Sequence, residues 1–323
     1  MSALAPGSIG VGLYLLDLPA GDAVEHLVGQ AVLAEKLGFD SATVSEHHGG
    51  FRGYLPNPLL AASWILGATQ RIWSGPNPLV LPLRDVPAVA EDLAWLAVRF
   101  PGRVAAGLAA GYHPADFDIA GRPCFEQRGA VFGAQLRELA AILRGAAAGQ
   151  LARDHALTAL TALGPAAPVP LVAAAGSATG ARRAAAAGVG LVFDSLTGTG
   201  ELTRLARVHA DAGGRGPLVL GRRIWVGTPP AGLFENQLAA YRQQAGPGSY
   251  LDSATAGALV HGTPDRIAEQ LLDEATAAGA TALALRSSLP GLSPAAADDQ
   301  LTQLGEQVLP LLRPAFRALQ ERQ

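Results

Sequence analysis

Short apolar segments alternate along the chain with longer segments in which apolar residues recur every three or four positions. Such alternation is typical of βαβ units built around a parallel sheet. It predicts eight strands, over residues 9–15, 41–45, 72–77, 104–109, 169–174, 189–193, 217–226 and 280–285. It predicts helices over residues 23–37, 58–69, 86–99, 126–144, 179–187, 201–212, 231–244, 264–278 and 294–317. The pattern favours a (β/α)8 barrel, with an open doubly wound sheet as the alternative topology.

The length and composition fit one large α/β domain. A chain of 323 residues lies within the range that a (β/α)8 barrel reaches, so we expect a single domain over residues 1–323. Hydrophobic residues make up 49% and charged residues 16%, which argues against a disordered chain. We interpret residues 146–168 and 243–256 as loop insertions, because they carry neither a repeat nor a regular apolar period.

Charge and cysteine content narrow the possible partners and compartments. The net charge is −3 and the basic residues are spread along the chain, which indicates no nucleic-acid surface. A single cysteine, Cys124, permits neither an intramolecular disulfide nor a thiolate metal cluster, so we expect a cytoplasmic protein. The first residues lack the pattern of a secretory signal, and no apolar run reaches the roughly 20 residues that cross a bilayer, so we expect no membrane partner.

Residues 45–50, SEHHGG, follow the second predicted strand, and barrel enzymes build their active sites at the carboxyl ends of strands. His47 and His48 point to opposite sides of an extended segment, so we expect one of them to face the barrel mouth. A histidine there exchanges a proton near neutral pH, and a carboxylate such as Glu46 fixes its tautomer or raises its pKa. A structural cap is the alternative. No third ligand has a suitable spacing, so we expect no metal site.

Residues 74–82, SGPNPLVLP, end the third predicted strand with prolines on both sides of Asn77. Proline donates no ladder hydrogen bond, so this pattern indicates a bulge rather than a plain strand. A cis Asn77-Pro78 peptide would turn the backbone toward a planar ligand at the strand end, and an ordinary trans loop is the alternative. Asn77 and Pro78 are therefore candidate cofactor-binding residues.

Residues 107–117, GLAAGYHPADF, lead from the fourth predicted strand into a loop. Gly111 would allow a ligand to approach the backbone closely. Tyr112 is a candidate cofactor contact and His113 a candidate substrate contact, although both are also common loop residues, and Asp116 is a candidate turn cap. Arg286, at the end of the last predicted strand, is a candidate partner for an acidic substrate group, with a barrel-capping salt bridge as the alternative.

Residues 173–182, AAAGSATGAR, pass from a predicted strand through small residues into a predicted helix. Gly176, Ser177, Thr179 and Gly180 would present backbone N–H groups and hydroxyls to an anion such as a phosphate. A simple helix cap, which needs only one hydroxyl, is the alternative interpretation. No Gly-Lys-Ser/Thr follows, so the segment is not a Walker loop.

Together these clusters resemble the bacterial-luciferase-like flavin monooxygenases, in the same order along nearly the whole chain. Each matching motif is weak alone, and the ordered set is specific. The matching positions are Glu35-Lys36-Leu37-Gly38-Phe39-Asp40, Glu46-His47-His48, Asn57-Pro58, Val80-Leu81-Pro82, Gly102-Arg103, Asp116-Phe117, Gly121, Arg128, Gly262-Thr263-Pro264 and Val308-Leu309-Pro310. The resemblance implies a luciferase-like (β/α)8 TIM barrel of the α/β class.

The resemblance also implies an activity. Members of this family hold reduced flavin mononucleotide (FMN) at the carboxyl end of the barrel and use it with O2, through flavin hydroperoxide chemistry, on a small organic substrate. His47 matches the family's catalytic histidine, an acid/base, with Glu46 supporting it. Asn77-Pro78 falls where relatives carry a cis peptide against the isoalloxazine ring, which favours a cis bond here, and Ser177 and Thr179 fall in the expected phosphate-binding turn.

The expected partners follow from the same resemblance. No dinucleotide-binding fingerprint follows a predicted strand, so we expect a separate flavin reductase to supply the reduced flavin. Relatives are commonly dimers, which implies a homodimer.

Two positions depart from the family pattern at the phosphate site. Gly176 stands where the luciferase α chain has a carboxylate, and Ala110 stands where it has an arginine. Arg128 and Arg182 are the candidates to replace that arginine.

Three other functions compete with the FMN monooxygenase. An F420-dependent oxidoreductase on the same barrel would transfer hydride without O2, although Glu46-His47-His48 favours the FMN branch. A non-catalytic flavin-binding partner subunit would explain the missing phosphate arginine, but the retained His47 argues against it. A barrel hydrolase in which His47 and Glu46 serve a bound water explains this cluster and not the ordered matches.

Overall fold

A parallel β-sheet with helices between its strands forms the framework of the protein. The computed structural model describes residues 2–51, 53–144, 169–245, 259–289 and 291–322. The strands within these residues are β1 (Ser8–Leu13), β2 (Ser41–Val44), β3 (Leu79–Val80), β4 (Ala106–Ala109), β5 (Leu171–Ala174), β6 (Gly190–Phe193), β7 (Leu218–Val226), β8 (Leu259–Gly262) and β9 (Ala282–Arg286). They pair in parallel in the order β2-β1-β9-β7-β6-β5-β4-β3, and β8 pairs with β7 outside this path.

Helices follow most strands, as βαβ units require. They are α1 (Ala20–Leu37), α2 (Pro58–Ala68), α3 (Val86–Arg99), α4 (Pro114–Ile119), α5 (Arg128–Leu143), α6 (Ala178–Ala187), α7 (Thr199–Asp211), α8 (Leu233–Ala245), α9 (Pro264–Ala278), α10 (Pro294–Gln303) and α11 (Leu309–Arg322). Side-chain hydrogen bonds to the backbone determine where two of these helices begin. The side chain of Asn57 accepts the Leu60 N–H at the start of α2, and Ser177 accepts the Gly180 N–H at the start of α6.

Residues 72–77 connect the two ends of the sheet. Ser41 bridges to Trp73 and Val44 to Pro76 on one side, and Ser74 bridges to Val104 on the other. Pairing is interrupted at Pro76 of this segment and at Pro78 after it, because proline lacks the N–H that a continuous ladder needs. The segment predicted as the third strand therefore lies where a barrel strand belongs, but with interrupted pairing. The predicted α/β fold, a (β/α)8 TIM barrel, is confirmed.

The main hydrophobic core lies between the sheet and its helices. In α1, Leu27, Ala31 and Ala34 recur every three or four residues, and all three are fully buried. Leu27 belongs to the same buried cluster as Ile9 of β1 and Phe316 of α11, so the two ends of the chain share this core.

Some elements differ from the sequence prediction. Strand β8 and the short helix α4 were not predicted, and the predicted last helix is divided by a π-helical segment, Leu304–Val308, into α10 and α11. The predicted insertion at 146–168 and most of the one at 243–256 lie outside the described residues. Among the described helices, none is long and apolar enough to span a membrane.

Candidate active site

A cavity of about 1000 Å³ opens where the carboxyl ends of the strands meet. Its walls come from residues that follow β2, β4, β5 and β6, and from the last residue of β9. Barrel enzymes place their active sites at this end. All four polar clusters identified from the sequence contribute to the walls. The predicted site residues that line the cavity are Glu46, His47, Asn77, Pro78, Gly111, Tyr112, Gly176, Ser177, Gly180 and Arg286.

His47 is held between a carboxylate and a phenol. Its Nδ1 lies 2.8 Å from Asp116 Oδ2, and its Nε2 lies 3.0 Å from the Tyr112 hydroxyl. Asp116 is buried on α4, and its second oxygen accepts the His48 backbone N–H at 2.7 Å. Because an ionised carboxylate can only accept, Nδ1 carries the proton and Nε2 is the acceptor for Tyr112.

Burial determines the charge state of this group. It lowers the pKa of His47 below the ordinary imidazole value, although the Asp116 carboxylate opposes the shift. Burial also acts to raise the pKa of Asp116, but hydrogen bonds with His47 and the His48 N–H keep it below its usual value. Burial raises the pKa of Tyr112 well above that of a free phenol. Near neutral pH, the site therefore holds a carboxylate, a neutral imidazole and a protonated phenol.

Glu46 lines the cavity, but its carboxylate is bonded elsewhere than to His47. One oxygen accepts the Val80 N–H at 2.6 Å, and the other accepts from Arg84 Nη2 at 2.6 Å and from His48 Nε2 at 2.8 Å. The carboxylate bonded to His47 is Asp116, so support of His47 by Glu46, which here could act only through its charge, stays a prediction. Glu46 instead ties the segment after β2 to β3 and to Arg84.

Aromatic rings surround His47, and those of Tyr54, Tyr112 and Tyr241 line the cavity. The ring of Phe51 lies 4.2 Å from the imidazole, that of Tyr54 lies 4.6 Å away and that of Tyr112 lies 5.2 Å away, measured between centroids. Tyr241 of α8 packs against Phe51 at 5.3 Å. These rings limit the access of water to His47 and provide an apolar surface for an organic ligand.

The Asn77-Pro78 peptide is cis, as the resemblance implied. The Asn77 carbonyl oxygen accepts from the Ser45 hydroxyl at 2.6 Å, which ties this segment to the end of β2. The side-chain oxygen Oδ1 of Asn77 is buried and lacks a hydrogen-bond partner in the described structure. Buried acceptors are normally satisfied, so this atom points to a ligand donor in the cavity.

The opposite side of the cavity has the features of an anion site. Gly176, Ser177 and Gly180 line it at the start of α6, where the first-turn N–H groups of residues 178 and 179, unlike the capped N–H of Gly180, can bind an anion. Arg128 and Arg183 line the same region. Arg128 donates to the Gly111 carbonyl from Nε at 3.1 Å, which orients its guanidinium beside the β4 loop.

Arg183 reaches the cavity because two glycines in α5 leave space for its side chain. A Cβ atom at Gly129 would lie 2.8 Å from Arg183 Nη1, and one at Gly133 would lie 2.9 Å from its Cδ. Real Cβ contacts are not this short, so larger residues would displace the arginine. In the described part of the chain, Arg183 has no hydrogen bond or ion pair. It is therefore an available cation, and sequence reasoning had considered Arg128 and the exposed Arg182 instead.

Two predicted site residues do not line the cavity. His113 is buried, and its Nδ1 donates to the Gln244 carbonyl at 3.0 Å, so its predicted substrate contact finds no support in the cavity wall and stays a prediction. Thr179 is exposed on the first turn of α6 and is absent from the cavity wall, so the hydroxyl on this wall is that of Ser177.

A second group of polar residues lies beside Arg286. The Arg286 guanidinium donates to the Tyr14 hydroxyl at 2.8 Å, to Ser45 Oγ at 2.7 Å and to the Asn77 carbonyl at 3.1 Å. Arg223 of β7 donates to the same Tyr14 hydroxyl at 3.3 Å. Both arginines line the cavity, and sequence reasoning had identified only Arg286.

The fold and the site define a parallel α/β barrel whose polar residues and cavity lie at the carboxyl ends of its strands. The sequence pattern of the luciferase-like monooxygenases matches residues 12–282, which is more than half of the chain. The protein therefore belongs to the luciferase-like monooxygenase family, and the resemblance stated from the sequence motifs is confirmed. This family includes both FMN-dependent monooxygenases and F420-dependent oxidoreductases.

Individual relatives fall on both sides of that division. The chain is 34% identical to the alkanal monooxygenase alpha chain of a Kryptophanaron alfredi symbiont over 100 residues, 31% of this chain and 28% of the relative. It is 32% identical to an F420-dependent glucose-6-phosphate dehydrogenase of Intrasporangium calvum over 188 residues, 54% of each chain. The chain thus matches these curated relatives over about a quarter to a half of their length.

A solved structure extends the similarity in fold to nearly the whole chain. The oxygenating constituent of 3,6-diketocamphane monooxygenase from Pseudomonas putida, a type II Baeyer-Villiger monooxygenase solved with FMN, superposes with a TM-score of 0.74. The superposition covers 94% of this chain and 98% of the other, at 18% sequence identity. At this identity, the comparison shows a common fold.

Proposed function

We propose that this protein is an FMN-dependent monooxygenase, which receives reduced FMN from a separate flavin reductase and uses it with O2 to oxidise a small organic substrate. The observation that carries the proposal is the Asp116–His47–Tyr112 chain, which faces the same cavity as the cis Asn77-Pro78 peptide. Membership of the luciferase-like family supports it. We further propose that the protein works in the cytoplasm as a homodimer.

The residues of the cavity fit a flavin mononucleotide. Asn77 Oδ1 is a buried acceptor without a partner, and a ring N–H group would satisfy it. Arg183, Ser177 and the free N–H groups of α6 would bind the phosphate, because charge-assisted bonds at a helix N-terminus are strong. Arg183 would thus replace the cation missing at Ala110. When bound in reduced form, FMN would supply the electrons that activate O2.

His47 is the acid/base in this proposal. Its Nε2 is an acceptor on the cavity side, shared with the Tyr112 hydroxyl, so it is able to take a proton from a reacting group and return it. Asp116 fixes the tautomer that makes Nε2 the acceptor, and it stabilises the charge that forms when His47 gains a proton. The ring of Phe51 covers the imidazole and keeps bulk water from competing for that proton.

An F420-dependent oxidoreductase is the second candidate. The 188-residue match to an F420-dependent dehydrogenase is longer than the match to the alkanal monooxygenase alpha chain. This longer match supports the second candidate function. The same His47 would then assist hydride transfer by exchanging a proton with the substrate.

Anaerobic binding followed by exposure to O2 distinguishes the two candidates. The purified protein is titrated with reduced FMN and, separately, with reduced F420, and is then mixed with O2 in a rapid-scanning absorbance experiment. Tight binding of reduced FMN, with a slowed and biphasic return of the oxidised spectrum, supports the monooxygenase. Binding of F420 alone supports the dehydrogenase, and binding of neither overturns both and favours a non-catalytic subunit.

The contribution of His47 is tested in the same assay. The variant His47→Gln should bind reduced FMN like the wild type, but its reaction with O2 and substrate should be slower by roughly 10²-fold or more. The matched control is His48→Gln, because His48 is adjacent in sequence and bonded to Glu46. Equal reactivity of His47→Gln and wild type would contradict the assigned role.

A further inference from the structure

Two guanidinium groups, of the buried Arg223 and the half-buried Arg286, lie in the cavity wall without a carboxylate partner among the described residues. Arg223 and Arg286 both line the cavity, and both contact the hydroxyl of the buried Tyr14, at 3.3 and 2.8 Å. Within the described residues, neither arginine forms a salt bridge with an aspartate or glutamate. Buried cations are normally paired with anions, because desolvation of an unpaired charge is costly. This part of the cavity wall therefore holds two guanidinium groups to which no described carboxylate is bonded.

The remaining partners of the two arginines are neutral. Arg223 donates to Gln237 Oε1 at 2.6 Å and to the Tyr241 hydroxyl at 3.0 Å, and its Nε is buried without a partner. Arg286 donates to Ser45 Oγ and to the Asn77 carbonyl. These contacts orient the guanidinium groups, and the shared Tyr14 hydroxyl can offset at most one of their two positive charges. An oriented, unpaired guanidinium is the group that proteins use to bind a carboxylate or phosphate.

The backbone beside Arg286 is shaped to let its side chain pass. A Cβ atom at Gly12 of β1 would lie 3.1 Å from Arg286 Cγ and 3.2 Å from its Nε. Contacts in this range are tighter than nine in ten real ones. The glycine thus allows Arg286 to cross the face of β1 and reach Ser45 at the end of β2.

We propose that Arg223 and Arg286 bind an anionic group, a carboxylate or a phosphate, on the organic substrate of this enzyme. The inference rests on the proposed function, since it takes this cavity as the substrate site, and it adds that the substrate is an organic anion. Tyr54 connects the two parts of the site, because its ring lies 4.6 Å from that of His47 and 5.2 Å from that of Tyr14. An anion held by the arginines places the rest of the substrate beside the aromatic rings around His47.

Binding of simple ligands to the cofactor-free protein tests this proposal without turnover. Benzoate and phenyl phosphate are the anionic probes and benzamide is the neutral analogue, each followed by isothermal titration calorimetry. We expect at least one anion to bind at least about tenfold more tightly than benzamide, because the neutral benzamide cannot form a charge-assisted bond with a guanidinium. The preferred anion then distinguishes a carboxylate substrate from a phosphate substrate. Equal binding of all three probes, or no anion binding at millimolar concentration, overturns the proposal.

Variants of Arg286 test whether the anion binds at this pair of arginines. Arg286→Gln should lose at least about tenfold in affinity for the preferred anion and leave benzamide binding unchanged. Arg286→Lys keeps the charge and should lose less affinity for the anion. It also serves as the test variant if Arg286→Gln folds poorly. Arg204→Gln is the matched control, because Arg204 is exposed on α7 and paired with Glu201. Unchanged anion binding in Arg286→Gln, with weakened FMN binding instead, would assign the arginines to the cofactor and overturn the proposal.

The outcomes separate this inference from the proposed function. If the wild type selects anions through Arg286 but binds neither reduced FMN nor reduced F420, the proposed function fails while the anion site stands. If it binds reduced FMN and shows no selectivity for anions, the anion site fails while the proposed function stands.

Discussion

Asp116 accepts a hydrogen bond from Nδ1 of His47 at 2.8 Å, although 69 residues separate the two in sequence. The same carboxylate accepts the His48 backbone N–H at 2.7 Å, so it fixes both the imidazole and the backbone that carries it. A histidine held in this way presents Nε2 to the cavity in one defined orientation. The orientation of the candidate base therefore depends on α4, a helix of a different part of the barrel.

Replacement of Asp116 by Asn tests this dependence. The variant removes the charge and allows an amide N–H to face Nδ1, which favours the opposite tautomer and blocks Nε2 as an acceptor. We expect turnover in Asp116→Asn to fall by about 10²- to 10⁴-fold, with little change in cofactor affinity. Single-turnover rates at saturating cofactor measure this effect. The control is Asp118→Asn, since Asp118 is exposed on the same helix, and equal losses in both variants would contradict a specific role for Asp116.

The pH profile of the residual activity gives a second readout. The Asp116 carboxylate raises the pKa of His47 against the larger, lowering effect of burial. Its removal should therefore lower the pKa of His47 further. If neutral His47 is the active form, activity declines as pH falls through this pKa, so the acidic limb should move to lower pH in Asp116→Asn. If the acidic limb stays at the same pH, it reports the pKa of a group other than His47.

Glu46 should act mainly on stability. Its buried carboxylate accepts from Val80, Arg84 and His48, and Gln would leave the Arg84 guanidinium without its anion. We expect Glu46→Gln to lower the free energy of unfolding by about 3 kcal/mol, at the low end for a broken buried pair, because Arg84 is partly exposed. Denaturant unfolding measures the change. Glu201→Gln, which breaks an exposed pair with Arg204, should cost less than about 1 kcal/mol.

The opposite result would restore the role suggested by the sequence. If Glu46→Gln unfolds at the same denaturant concentration as the wild type but turns over roughly 10²-fold more slowly, Glu46 takes part in proton transfer.

The comparison of Glu46 with Asp116 shows what the sequence could predict about the site. Clusters at strand ends identified the cavity wall correctly at His47, Asn77 and Arg286, because parallel strands bring their carboxyl ends together. The partner of His47 could not be predicted in the same way. Adjacent residues of an extended segment point to opposite sides, and the carboxylate that contacts His47 comes from another loop. A sequence signal existed, since Asp116 belongs to a family motif, but it did not specify a partner.

The fold was more predictable than the site because strand and helix periods are local properties. The predicted strand over 217–226 corresponds closely to β7, and the predicted helix over 264–278 has the same bounds as α9. Strand β8 was missed because four residues, one of them a glycine, carry too little pattern. The approach of Arg183 to the cavity was unpredictable for another reason, since it depends on the packing of α6 against Gly129 and Gly133 of α5.

Tyr14 should ionise near neutral pH. Burial acts to raise its pKa, but the charges of Arg223 and Arg286 and a hydrogen bond from Arg286 outweigh burial and lower it to about 7. Ultraviolet difference spectra should therefore show one tyrosinate forming with a midpoint near pH 7, in the folded protein only. Tyr14→Phe should abolish this transition. Tyr54→Phe should retain it, because burial raises the pKa of Tyr54 well above 10. A titration without a neutral transition would contradict the assignment.

This ionisation also has a consequence for stability. The unfolded chain keeps the Tyr14 proton until about pH 10, whereas the folded protein releases it near pH 7. Between these values the unfolded state binds more protons, so the contribution of Tyr14 to stability rises with pH and is lost as pH falls through about 7. The difference in unfolding free energy between wild type and Tyr14→Phe should therefore be larger at about pH 8.5, inside this window, than at about pH 6, below it.

Arg183 and Arg182 are neighbours on α6 that should differ sharply in their effect on cofactor binding. Arg183 lines the cavity beside Ser177, whereas Arg182 is exposed and away from it. We expect Arg183→Gln to weaken binding of reduced FMN by about 10- to 100-fold, as loss of a charge-assisted bond to phosphate implies, and Arg182→Gln to have no effect. Gly133→Ala should weaken binding too, because its Cβ would displace Arg183, although alanine favours the helix. Equal affinities of Arg183→Gln and Arg182→Gln, measured by anaerobic fluorescence titration, would assign the phosphate to another cation.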